Sequence, residues 1–270
     1  MNPSGQAQAK ARPAQGGPPL LAARSLTKTF GRLTALSQHG IEVRAGEIVG
    51  VIGPNGSGKS TFFNLITGFL RADSGEVLLD GVAIQRFPPA RIARLGIART
   101  FQGTRLFPAL SVRENLRAAA QLRHRSSMLD AVLGSGRLRR AEAETDAIAD
   151  SLLAMVDLTR QAQRRAGDLP YGDQRRLELV RALATAPRVL MLDEPAAGME
   201  STETKRLLEL ITEIRDRYGL AIIVVEHDMD LIMNLCDRIQ VLAAGKMVFE
   251  GAPDAVQADP RVRDVYLGHA

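Results

Sequence analysis

The sequence predicts an α/β fold with a mixed sheet, an antiparallel β part and a helical insertion. Three observations carry this reading. Short apolar runs at 41–43, 48–52, 76–79, 189–192, 221–225 and 239–242 have strand length and alternate with helix-patterned stretches. The run Ile48–Ile52 passes directly into a glycine-rich segment, Gly53–Thr61, and an apolar-striped helix (Phe62, Phe63, Leu65, Ile66, Phe69) follows it. Residues 103–168 hold few β-branched side chains and many Ala, Leu, Arg and Glu, the composition of a mostly helical region.

Each element follows in order along the chain. Residues 1–19 are rich in Gln, Ala, Pro and Gly without periodicity and predict a disordered leader, with a folded body from Leu20. Asp80-Gly81 lies between Val77-Leu78-Leu79 and Val82-Ala83-Ile84. Both turn residues tolerate positive φ, so a tight hairpin is expected and part of the sheet is antiparallel. Glu114–Arg125 and Ala141–Val156 are the helical segments of the insertion, broken near Gly134-Ser135-Gly136. A further helix is expected over Leu177–Ala184, and a short appendage after Gly251. One domain is therefore expected over 20–268, with a helical subdomain over 103–185 and a C-terminal appendage over 251–268.

Composition bounds the function. Of 270 residues, 45% are hydrophobic and 24% charged, which excludes wholesale disorder. The net charge of +5 invites a nucleic-acid partner, but its location argues against one. Residues 1–41 carry Lys10, Arg12, Arg24, Lys28 and Arg32 and no acid, and the rest of the chain balances 30 basic against 30 acidic groups. A single cysteine, Cys236, excludes an internal disulfide framework and predicts a buried structural thiol. No apolar run approaches the roughly 20 residues that span a bilayer. The N-terminus lacks the apolar core of a signal peptide, so a cytoplasmic-type chain is expected.

The strongest chemical signal is Gly53-Pro54-Asn55-Gly56-Ser57-Gly58-Lys59-Ser60-Thr61, a G-x-x-x-x-G-K-[ST] phosphate loop between a strand and a helix. Glycines let successive N–H groups turn inward on phosphates, and the helix N-terminus adds positive potential. Lys59 is placed to neutralise the β- and γ-phosphates, and the Ser60 hydroxyl to coordinate Mg²⁺. A nucleotide site of this kind needs an acid at the end of a buried strand. Val189–Leu192 supplies it in Asp193, suited to the Mg²⁺ shell, and Glu194, suited to polarise a water. A third strand, Ala221–Val225, ends in Glu226-His227-Asp228, at the edge where ligands of such sheets sit. From there His227 can reach a γ-phosphate. No guanine-reading N/T-K-x-D element is present, which favours ATP. His39, His124 and His269 have no such setting. Leu169–Arg176 opens a helix with a glycine, which is equally an anion site or an ordinary helix start.

The ordered set Gly53–Thr61, Phe101-Gln102, Leu169–Gln174, Asp193-Glu194 and His227 resembles the ATPase subunits of ABC transporters, over nearly all of Leu20–Gly268. The resemblance implies a P-loop NTPase core of the ABC ATPase type, with Walker A at Gly53–Ser60 and Walker B ending at Asp193. It implies a Q-loop at Gln102, catalytic and near the metal, a signature at Leu169–Asp173 that presents Tyr171 and Gly172 to nucleotide, and a switch histidine at His227. Glu194 takes the general-base role, and Phe30 stands where the family places an adenine-stacking aromatic. Arg99-Thr100-Phe101-Gln102, Tyr171–Glu178, Glu194–Met199, Glu226–Met229 and the Asp259-Pro260…Val265–Gly268 ending are similar to the branched-chain amino acid importers.

Two departures stand out. Pro170, Tyr171 and Asp173 replace three of the five residues of the usual Leu-Ser-Gly-Gly-Gln signature, and Glu200 follows Gly198-Met199 where the group shows Leu-Asn. The implied protein is an ATP-hydrolysing motor that works as a dimer with a second ATPase subunit, peripheral on the cytoplasmic face of the inner membrane. Its implied partners are permease subunits and, indirectly, a solute-binding protein, with no nucleic acid. A coupling surface is implied at Gln102 and Arg105–Val112, with Leu106, Phe107, Pro108 and Leu110 as apolar anchors. Lipopolysaccharide-export and urea or amide systems are the related alternatives. A non-transport ABC ATPase and a soluble P-loop kinase fit fewer of these segments.

Overall fold

The computed structural model describes residues 17–123 and 136–267. The expected leader over 1–16, with Lys10 and Arg12, lies outside the described residues, as do His124, Gly134-Ser135, Gly268 and His269. Strands β1 (Leu21–Phe30), β2 (Leu33–Val43) and β3 (Ile48–Ile52) lead into α1 (Lys59–Ile66). Then come β4 (Ser74–Leu79), β5 (Val82–Ala83), α2 (Pro89–Arg94) and β6 (Ile97–Arg99). The helical part follows as α3 (Val112–Ala120), α4 (Gly136–Met155) and α5 (Tyr171–Leu183). The chain returns through β7 (Val189–Asp193), α6 (Ser201–Tyr218), β8 (Ala221–Val225), α7 (Met229–Leu235), β9 (Arg238–Ala243) and β10 (Lys246–Gly251). Helices α8 (Pro253–Ala258) and α9 (Pro260–Leu267) end it.

The strands form a four-stranded antiparallel sheet, β2-β1-β4-β5, and a six-stranded mixed sheet, β10-β9-β3-β8-β7-β6. Strands β9, β3, β8, β7 and β6 are parallel, and β10 closes one edge antiparallel to β9. Strands buried on both faces read as continuous apolar runs, which is why β3, β7 and β8 were legible. The Asp80-Gly81 hairpin forms as expected, with Leu79 opposite Val82 and positive φ at both turn residues.

Alternation divides the core in two. Val49 and Val51 face α1 and the antiparallel sheet, alongside Phe62, Phe63, Leu21 and Leu36. Ile48 and Ile52 face the other way, toward a cluster that runs without a break into the helical part through Leu116, Leu152, Leu153 and Leu177. Cys236 is buried there, and a Cβ at Gly50 would come within 2.9 Å of its Sγ.

Three strand regions lie outside the apolar runs: β1 with most of β2, then β6, and β10. Strands β6 and β10 are edges of their sheet. Strand β1 carries Arg24, Ser25, Thr27 and Lys28 and shifts register against β2, which blurs a period of two. Helix α5 also begins six residues before the expected Leu177. Pro170 sits at its N-cap, where a missing N–H costs nothing, and Tyr171 and Gly172 form the first turn. Among the described residues, no helix is long and apolar enough to cross a membrane.

Candidate active site

Strand β3 ends at a loop whose backbone only glycine can follow. Gly53, Gly56 and Gly58 have φ of 150°, 81° and 106°. A Cβ at Gly53 would lie 2.1 Å from the Leu242 carbonyl oxygen, and one at Gly58 would lie 2.6 Å from that of Ala35. The loop is thereby threaded between β9 and β2. Its tip, Asn55-Gly56, is exposed, while Ser57 is buried and its N–H donates to the Pro54 carbonyl at 3.2 Å.

Lys59 opens α1 and folds back over this loop. Its Nζ donates to the carbonyls of Gly53 at 2.6 Å and Pro54 at 3.1 Å. Burial lowers its pKa, opposed by the nearby carboxylates of Glu194 and Asp193. Ser60, exposed, and Thr61 complete the first turn, which holds no acidic residue. The helix's positive end is therefore uncompensated and faces the loop.

Asp193 and Glu194 arrive at the carboxyl end of β7, between β6 and β8. Asp193 Oδ2 accepts from the Arg99 guanidinium at 2.8 Å, and its backbone N–H donates to Thr100 Oγ1 at 3.2 Å. Glu194 has φ of +47°, an unusual value for a residue with a Cβ. Its N–H donates to the Val225 carbonyl of β8 at 2.8 Å, which holds the strained turn. Glu194 Oε2 accepts from Gln102 Nε2 at 3.0 Å, and its Oε1 lies 4.0 Å from His227 Nδ1. Three residues distant in sequence thus meet at one carboxylate.

Glu226 organises the far side. It is 1% exposed, accepts the N–H of Ala196 and of His227 at 3.1 Å each, and lies 3.6 Å from His227 Nδ1. Burial raises its carboxyl pKa. His227 itself is exposed and projects from the sheet edge.

The remaining expected residues sit apart. Phe30 ends β1, is 47% exposed, and has the Lys28 ammonium 5.5 Å from its ring centre. Lys28 is held by Asp73 at 2.8 Å, so its charge is already matched. The Tyr171 hydroxyl donates to the Ala197 carbonyl and accepts from Arg175 Nε, both at 2.9 Å. A Cβ at Gly172 would come within 2.3 Å of Glu203 Oε1. Asp173 pairs with Arg176. Tyr171, Gly172 and Asp173 therefore contact the segment after Glu194 and their own helix, and no described hydrogen bond joins them to Gly53–Thr61 of the same chain.

The donor set fits a magnesium nucleotide. Ser60 and Asp193 offer hard oxygens of the kind Mg²⁺ selects. The glycine loop, Lys59 and the free amides of α1 offer positive charge without side-chain bulk. Two participants escaped the motif reading, Arg99 beside Asp193 and Glu226 beneath His227. In the sequence Arg99 enters only within the string Arg99-Thr100-Phe101-Gln102, and Glu226 only as the residue before His227 at a strand end.

A cavity of about 460 Å³ opens between the sheet edge and the helical part, lined by Phe69, Phe101, Phe107, Leu122, Arg99 and Arg181. Of the expected anchors nearby, Phe107 and Leu110 are exposed, while Leu106 packs against the core.

The sequence and the fold are similar to those of known proteins. A family model described as ABC transporter matches residues 36–197, and one described as branched-chain amino acid ATP-binding cassette transporter matches residues 246–270. LivG of Salmonella typhimurium, a high-affinity branched-chain amino acid transport ATP-binding protein, is 42% identical over 252 residues, covering 93% of this chain and 99% of its own. The ADP conformation of MJ1267, an ATP-binding cassette of an ABC transporter, superposes with a TM-score of 0.80 at 31% identity, covering 93% of this chain and 99% of that one. The dimeric post-hydrolysis state of the cassette MJ0796, bound to ADP and Pi, gives a TM-score of 0.72 at 26% identity over 86% of this chain and 98% of that one.

Proposed function

The chain belongs to the ABC transporter family of ATP-binding, ATP-hydrolysing proteins, and on that premise we propose that it drives import of branched-chain or related amino acids. The observation that carries the mechanism is the meeting of Gln102, Glu194 and His227 at one carboxylate beside the phosphate loop. The C-terminal family match and the names of the relatives support the solute class.

In this reading the amides of Gly53–Thr61 and the Lys59 ammonium bind the triphosphate of ATP, and Phe30 stacks against adenine. Mg²⁺ would be held by Ser60, Asp193 and Gln102 and would supply neutralisation of phosphate charge. Glu194 takes a proton from the attacking water, and Gln102 orients that carboxylate through the 3.0 Å hydrogen bond. His227 reaches the γ-phosphate from the adjoining strand end. Binding carries most of the catalytic effect through positioning and charge.

Two chains close around two nucleotides, each presenting Tyr171 and Gly172 to the other's phosphate loop. The dimeric state of the MJ0796 cassette supports this pairing. So does the absence of any described hydrogen bond from Tyr171, Gly172 or Asp173 to the chain's own Gly53–Thr61. The stroke passes to permease subunits seated over the Phe69–Phe107 cavity, with a solute-binding protein acting indirectly and no nucleic acid involved. The chain then lies peripherally on the cytoplasmic face of the inner membrane. The test is uptake by vesicles holding the chain with the permease subunits of a branched-chain amino acid importer. ATP-dependent accumulation of leucine, isoleucine or valine is expected. ATP turnover with no amino acid accumulated would reject the solute class.

A further inference from the structure

The guanidinium of Arg99 occupies a junction that no nucleotide motif accounts for. It leaves the end of β6, at the floor of the 460 Å³ cavity, and its side chain is 8% exposed. Nη2 donates to Asp193 Oδ2 at 2.8 Å. Nη1 donates to Asn64 Oδ1 at 2.6 Å and to Thr67 Oγ1 at 3.4 Å, and both partners lie at the far end of the helix that begins at Lys59-Ser60. The rings of Phe63 and Phe101 lie 5.2 and 4.9 Å from its central carbon. One rigid, planar cation therefore bridges the helix that carries Ser60 and the strand that carries Asp193.

We propose that Arg99 is a positioning residue for the magnesium-holding carboxylate, fixing Asp193 and its strand against the Ser60 helix. The inference rests on the reading of Ser60 and Asp193 as the metal's oxygen donors. Asp193 is nearly buried, and the Lys59 ammonium is a second cation that interacts with it. Without Arg99 the carboxylate turns toward Lys59, which draws it from the metal and ties up the cation meant for phosphate. With Arg99 in place, one oxygen is held and the other stays available. Lysine preserves the charge but cannot bridge two partners with a planar fork. Partners that orient a metal's ligands typically change metal affinity by roughly tenfold or more when lost.

The test measures affinity of the full chain for a fluorescent ATP analogue, with excess magnesium and with EDTA. Arg99→Met is expected to lower the magnesium-dependent gain in affinity about tenfold while leaving affinity in EDTA within about twofold. Arg99→Lys is expected to recover part of the gain. Asn64→Ala, which loosens only the helix side of the bridge, is expected to shift the gain in the same direction by less, and it stands in if Arg99→Met does not fold. Equal losses with and without magnesium would mark Arg99 as a structural ion pair only and overturn the proposal. So would a larger magnesium gain, since it would make Arg99 a competitor of the metal. Asp193→Asn separates the two readings. If it leaves the magnesium gain intact, the metal assignment itself fails. If it abolishes the gain and Arg99→Met does not, only the role of Arg99 fails.

Discussion

Gln102 donates a 3.0 Å hydrogen bond to Glu194, from a loop after β6 to the strained turn after β7, across 92 residues of sequence. The bond holds one carboxylate oxygen and leaves the other toward His227. Gln102→Ala frees that carboxylate without touching the phosphate loop. Steady-state ATPase assays are expected to show kcat lowered about tenfold, with nucleotide affinity measured in EDTA within about twofold. A fall in affinity with unchanged kcat would place Gln102 in binding instead.

Lys59 is buried against its own loop carbonyls, a cost that binding of phosphate repays. Lys59→Met keeps the length of the side chain and removes that cost. Calorimetric titration is expected to show ATP affinity reduced at least about tenfold. Thermal unfolding of the free protein is expected to be unchanged or slightly raised.

Gly172 lies in the first turn of α5, where alanine suits the backbone, yet an added methyl meets the Glu203 carboxylate. That carboxylate ends a flexible side chain and can move. Gly172→Ala should therefore fold and bind ATP within about twofold of the parent. In a Glu194→Gln background, sedimentation velocity is expected to show loss of the ATP-dependent dimer. A dimer that persists would argue against Gly172 at the shared interface.

His39 is buried in β2, edge-on to Phe62 at 4.8 Å, and neither ring nitrogen has a hydrogen-bond partner among the described residues. Burial pushes its pKa down to about 4 from 6.5. The unfolded chain binds this proton first, so the stability it allows is complete above pH 6.5 and falls as pH drops toward 4. Urea unfolding should show about 2 kcal/mol lost through this residue between pH 7 and pH 5. His39→Leu is expected to flatten that part of the pH profile, and an unaltered slope would contradict it.

What could be read from the sequence was what is local. The phosphate loop, the Asp80-Gly81 hairpin and the Asp193-Glu194 strand end each carry their signal within ten residues. The start of α5 was missed because Pro170 and Gly172 look like loop residues until their place at a helix cap is seen. Strand β1 was missed because its polar, register-shifted sequence is held by neighbours on both sides, β2 and β4. The site's finer order was out of reach for the same reason. Glu226 matters through the amides of Ala196 and His227, and Arg99 through Asp193, partners fixed only when the parallel strands align.

Hydrolysis depends on Glu194 as the group that activates water. Single-turnover release of phosphate from ATP by Glu194→Gln measures this, with nucleotide binding and dimerisation followed on the same sample. The variant is expected to bind ATP and form the nucleotide-dependent dimer, with phosphate release slowed at least about 100-fold. Release at the parent rate from a variant that still binds ATP would contradict the assignment.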